Sequence, residues 1–130
     1  MRQNFLRLVG AMAVFALGLG YARAAADDYA FQLVQTRIKK GQSFADVRLV
    51  HKPDGKLVGD AIIFATRLDM APDDMESMTS AIELTQSPEP GLYRFKVDLT
   101  DEGRWRMSIA AKIQGETGTL QGRLILQATP

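Results

Sequence analysis

Leu92-Tyr93-Arg94-Phe95-Lys96-Val97-Asp98-Leu99, followed after a short gap by Arg104-Trp105-Arg106-Met107-Ser108-Ile109-Ala110-Ala111-Lys112-Ile113, alternates apolar and polar side chains with a period of two. Successive side chains of an extended chain point to opposite faces. Tyr93, Phe95, Val97 and Leu99 therefore share one face, with Arg94, Lys96 and Asp98 opposite. Trp105, Met107, Ile109, Ala111 and Ile113 do the same against Arg106, Ser108 and Lys112. Strands with one dry and one wet face predict an antiparallel sheet.

The same period extends outward in both directions. In Ser43 to His51, Ala45, Val47 and Leu49 oppose Asp46 and Arg48. In Ala61 to Met70, Ile62, Phe64, Leu68 and Met70 share a face against Arg67 and Asp69. In Thr119 to Gln127, Leu120, Leu124 and Leu126 alternate with Gln121, Arg123 and Gln127, and Phe31 and Leu33 start a weaker strand. Lys52-Pro53-Asp54-Gly55, Pro88-Glu89-Pro90-Gly91, Asp101-Glu102-Gly103 and Gly115-Glu116-Thr117-Gly118 are turns, in which Pro presets φ and Gly accepts φ > 0. After the N-terminus no helical stretch is predicted, except a turn near Asp73 to Met78. The pattern predicts an all-β chain, an antiparallel β-sandwich of about seven short strands.

The N-terminus reads differently. Arg2 and Arg7 precede an apolar run from Leu8 to Leu19, and small-x-small patterns follow at Ala22-Arg23-Ala24 and Ala24-Ala25-Ala26. This is the layout of a secretory signal peptide over residues 1–24, cleaved after Ala24 or Ala26. The run is short of the roughly 20 residues that a spanning helix needs; the competing reading is an uncleaved N-terminal anchor. No Cys follows the run, which excludes a bacterial-type lipid attachment. The expected mature domain is 27–130 and the expected location periplasmic.

The precursor carries 16 Lys and Arg against 15 Asp and Glu. Cleavage after Ala24 removes Arg2, Arg7 and Arg23 and leaves a net of −2. No basic patch with interleaved aromatics argues for nucleic acid. The absence of Cys removes disulfides and thiolate metal sites. One His and no Cys leave no support for a Ser-His-Asp arrangement or a zinc triad, and no Gly-rich phosphate loop is present. The chain is expected not to be an enzyme and to act on no small-molecule substrate.

One stretch points to chemistry. In Leu68-Asp69-Met70-Ala71-Pro72-Asp73-Asp74-Met75-Glu76-Ser77-Met78, three thioethers fall within nine residues among carboxylates. Thioethers are soft, neutral ligands suited to Cu(I). Met70, Met75 and Met78 are the candidate metal ligands, since a helical turn would bring Met75 and Met78 to one side. His51, Asp73 and Asp74 are additional candidates, the carboxylates suiting a harder Cu(II). The bland readings are specific too. Met70 is in phase with Leu68 and can cap the core. Met75 and Met78 can fill gaps under a loop, or make an adaptable apolar contact with a partner protein. His51 can be a strand-end histidine bonded to backbone. Trp105 and Met107 favour core packing over a cation–π contact with a bound ion.

The order of pieces resembles a known family. Val47-Arg48-Leu49-Val50, Pro53-Asp54-Gly55-Lys56 and Val58-Gly59-Asp60-Ala61 are similar to the opening of FixH-like and YtkA-like domains. Asp69-Met70-Ala71-Pro72-Asp73-Asp74-Met75 resembles their M-x-P-x-x-M loop, and Pro90-Gly91-Leu92-Tyr93 and Gly103-Arg104-Trp105 their P-G-x-Y and G-x-W signatures. The resemblance covers roughly residues 43 to 128. It implies an Ig-like sandwich, exported or membrane-tethered, associated with copper handling, heavy-metal efflux and cytochrome oxidase assembly, and no enzyme. FixH proper keeps its N-terminal membrane helix, whereas this apolar run looks cleavable, which favours a free periplasmic protein. The expected function is copper binding or delivery through the Met loop, with an efflux or oxidase-assembly machine as partner. The alternative is a metal-free interaction module using the same loop.

Overall fold

Residues 27–130 are described by a computed structural model. The predicted signal peptide and its helix lie outside the described residues. Ten strands follow the alternation: β1 (Tyr29–Leu33), β2 (Arg37–Lys39), β3 (Gly41–His51), β4 (Lys56–Leu57), β5 (Ile62–Met70), β6 (Met75–Ser80), β7 (Ile82–Leu84), β8 (Leu92–Leu99), β9 (Gly103–Lys112) and β10 (Leu120–Thr129). Three of them, β2, β4 and β7, are only two or three residues long. The remaining seven form the body of an Ig-like β-sandwich. One sheet runs β1-β3-β8-β7, with β4 also on β3; the other runs β2-β10-β9-β5-β6.

The inward residues of β3, β8, β9 and β10 meet between the sheets. Ala45, Val47, Leu49, Phe95, Leu99, Trp105, Met107, Ala111 and Leu126 are all fully buried. Each large apolar side chain buried this way contributes about 1.5–3 kcal/mol. Trp105 seats its polar edge by donating from Nε1 to the Asp101 carbonyl at 3.0 Å.

Both edges are stitched. The chain leaves β1 in the first sheet and enters β2 in the second without reversing direction, so β2 pairs with β10 in parallel. This one parallel pair departs from the expected all-antiparallel pattern. At the other edge β6 pairs with β5, and after Ala81 the chain continues as β7 on β8. The Asp98 amide donates to the Ala81 carbonyl at 3.1 Å at that crossing.

Two expectations are corrected. Ile62 and Phe64 are 60% and 56% exposed, not in the core. A β-bulge between Ile63 and Ala65 opposite β9 inserts Phe64 as the extra residue and shifts the phase, so Leu68 and Met70 are buried and Ile62 is not. The helical turn expected near Asp73 to Met78 is instead a 3-10 turn at Ala71–Asp73 followed by strand β6. Pro72 presets the turn, and Asp74, at φ 60°, ends it in the left-handed region.

β8 runs from one end of the sandwich to the other, about 25 Å at 3.3 Å per residue. The start of β1, the end of β3 and the start of β8 lie at one end, with His51. The end of β5, the start of β6, the start of β9 and the end of β10 lie at the other, with Met70.

Candidate functional site

The thioethers divide among three environments. Met70 ends β5 at 1% exposure. Its methyl lies over Gly103, where an added Cβ would stand 2.8 Å from Met70 Cε and 2.5 Å from Asp73 Oδ2. Met75 stands opposite Met70 on the neighbouring strand and is 42% exposed. Met78 is half-buried and packs against the core. Because residues 75–80 are extended, the helical spacing that would aim Met75 and Met78 together is absent. Met107, like Trp105, is fully buried in the core.

The carboxylates of the loop are engaged by β9. Asp73 Oδ2 accepts from the Arg104 amide and Oδ1 from Arg104 Nε, both at 2.9 Å, while Arg104 Nη2 donates to the Pro72 carbonyl at 2.7 Å. The Arg104 amide and then its guanidinium hold the Asp73 carboxyl below the ordinary range. Asp74 is exposed, and its amide closes the turn on the Ala71 carbonyl at 2.9 Å.

His51 does not join them. It sits at the opposite end, with Nδ1 2.9 Å from Asp54 Oδ1 and its ring centroid 4.9 Å from that of Tyr29. Tyr29 in turn donates to Glu116 Oε1 at 3.0 Å. The structure thus gathers Met70, Met75, Asp73 and Asp74 at one end, turns Met78 inward, and separates His51 by the length of the sandwich. Among the described residues, no group of three or more His, Asp or Glu side chains is placed to hold a metal ion.

Asp69 is the residue whose role sequence reasoning missed. It lies on the outer face of β5, as its phase predicts, yet it is 0% exposed. Oδ2 accepts from Arg67 Nε at 2.8 Å and from Arg106 Nη2 at 2.9 Å, and Oδ1 accepts from the Ala71 amide at 2.9 Å. Arg106 also reaches Glu76 Oε1 at 3.3 Å, and Arg67 Nη2 donates to the Glu76 carbonyl at 2.9 Å. Burial alone would push the Asp69 carboxyl up, but the Ala71 amide and the two guanidiniums together hold it below its ordinary value. The network pins β5, β6 and β9 directly behind Met70. The local signal is limited to Arg67 two residues before Asp69; Arg106 arrives from β9 through the fold, and no sequence pattern pairs it with Asp69.

The other motifs build the His51 end. Tyr93 OH donates to the Val58 carbonyl at 2.8 Å and accepts from the Ala61 amide at 3.0 Å, tying the 58–61 segment onto β8. Gly91, at φ +84°, leaves room for Leu57, whose Cβ would stand 2.5 Å from an added methyl.

The profile of the family described as YtkA-like matches residues 23–110, more than half of the chain. No curated protein matches. Among solved structures, the Lin-41 filamin domain is similar at 18% identity with a TM-score of 0.43, over 74% of this chain and 92% of that one. A conjugative transposon lipoprotein from Bacteroides eggerthii is similar at 12% identity and a TM-score of 0.35, over 79% of this chain and 98% of that one. On the strength of the family profile, this chain belongs to the YtkA-like family.

Proposed function

We propose that this YtkA-like chain is a non-catalytic periplasmic accessory protein that binds or delivers copper, or another soft heavy metal, for a membrane efflux or oxidase-assembly system. The observation that carries the reading is the Met70–Met75 rung, two thioethers opposite each other at one end of the sandwich with Met75 at the surface. Met75 is the entry ligand. Met70 becomes a second donor when its methyl leaves Gly103, so binding is coupled to a local opening of the β5–β6 hairpin. The neutral thioethers keep their donor capacity at low pH.

A second reading has its own support. With Met70 and Met78 turned to the core, Met75 is the one thioether of the three standing well exposed. A single exposed thioether suits an adaptable apolar contact in a metal-free interaction module. Titration of the purified protein with Cu(I) against a chromogenic competitor separates the two. Copper capture that falls on Met75→Leu and on Met70→Leu supports the metal site, and both substitutions nearly conserve volume. Capture that persists in the triple Met70→Leu, Met75→Leu, Met78→Leu protein places the site elsewhere. Indifference to Cu(I) favours the interaction module.

A further inference from the structure

On the outer face of the second sheet, Ser108 of β9 stands opposite Arg67 of β5 on one side and opposite Arg123 of β10 on the other. The three form one rung facing solvent. Neighbouring strands are about 4.8 Å apart, so the rung places two arginine side chains about 10 Å apart at their Cα atoms with a hydroxyl between them.

The adjacent rung balances itself, since Asp69 faces Arg106 and takes a bond from Arg67 as well. Nothing comparable serves Arg123, which enters none of the ion pairs among the described residues. The side chains around the rung form an open groove of about 360 Å³ with a floor of Ala65, Ser108 and Ala110. Three arginines line it; Asp69 and Glu76 are already bonded to Arg67 and Arg106, which leaves the charge of Arg123 unbalanced. Donors also outnumber acceptors here, for Arg106 Nε is buried without a partner.

We infer that this groove binds a small oxyanion, a carboxylate or a phosphate, held between the Arg123 and Arg67 guanidiniums over the Ser108 hydroxyl. A guanidinium presents a planar fork that matches both oxyanions, and the volume lies at the small end of the range for ligand sites. This site is independent of the methionine rung and of any metal.

Thermal unfolding and amide chemical shifts of the purified protein are to be followed during titration with inorganic phosphate and, separately, with succinate. Sodium chloride at matched ionic strength is the control, because screening alone acts on every surface charge. A saturable rise in midpoint with phosphate or succinate, with shifts at Ser108 and Arg123, is expected; the stronger of the two anions identifies the headgroup. Arg123→Gln, which breaks no ion pair, is expected to leave the anion-free midpoint in place and to weaken binding about tenfold. A chloride response equal to that of both anions, or an undiminished response in Arg123→Gln, overturns the site.

Discussion

At the Met70 end the buried polar group is a charge: Asp69 is fully enclosed by Arg67, Arg106 and the Ala71 amide. At the His51 end it is a neutral hydroxyl, that of Tyr93, while the His51–Asp54 pair stays 30% and 42% exposed. The Met70 end also closes over itself, with Asp73 clamped by Arg104 and Gly103 pressed beneath Met70. The difference teaches where the molecule can yield. The buried charge is joined to β9 through Arg106 and, by way of both arginines, to Glu76 of β6, so it ties three strands together, whereas the Tyr93 hydroxyl ties the 58–61 segment to β8 alone. Any ligand that draws Met70 outward works against its packing on Gly103 beside the Asp73–Arg104 clamp.

Removing the buried charge breaks the comparison hardest. Asp69→Ala leaves two guanidiniums without their carboxylate and is expected to cost about 3–5 kcal/mol, measured by urea unfolding. Tyr93→Phe leaves the Ala61 amide and the Val58 carbonyl unpaired and is expected to cost about 1–3 kcal/mol in the same assay. Equal losses from the two substitutions would mean that the ends are energetically alike.

Acid sharpens the contrast. The Asp69 carboxyl is depressed from its ordinary value of 3.8 in the folded protein. Its contribution is therefore complete above that value and is lost as pH falls through it towards the lower folded one. The gap in melting temperature between wild type and Asp69→Ala is expected to stay constant near neutral pH and to narrow below about pH 4. The smallest effect belongs to His51. Its pair with Asp54 is exposed and spans one turn, so His51→Ala is expected to leave the unfolding midpoint unchanged. It is also expected to leave copper capture unchanged, because the imidazole lies a sandwich length from Met75.

Strands β3, β8, β9 and β10 were legible because alternation and burial agree there residue by residue, as at Tyr93, Phe95, Val97 and Leu99. Strand β5 was legible in extent but not in phase. A bulge is set by the partner strand, and nothing in Ile62-Ile63-Phe64-Ala65 itself announces that Phe64 is the extra residue. Strand β6 is not legible in Met75-Glu76-Ser77-Met78-Thr79-Ser80, which carries no alternation; its extension comes from pairing with β5. The clustering of Met70, Met75, Asp73 and Asp74 was legible as a neighbourhood in sequence. The partners of the two buried or clamped carboxylates were not, since Arg104 and Arg106 arrive from β9 through the tertiary fold.

The direction of travel through the sandwich has a consequence for reach. The described chain enters at the His51 end, where Tyr29 pairs with His51, and its last strand finishes at the Met70 end, where Ala128 pairs with Gly103. Whatever holds residue 27 therefore holds the His51 end. Met75, the exposed member of the Met70–Met75 rung, stands a strand length away from residue 27, at the opposite end of the sandwich.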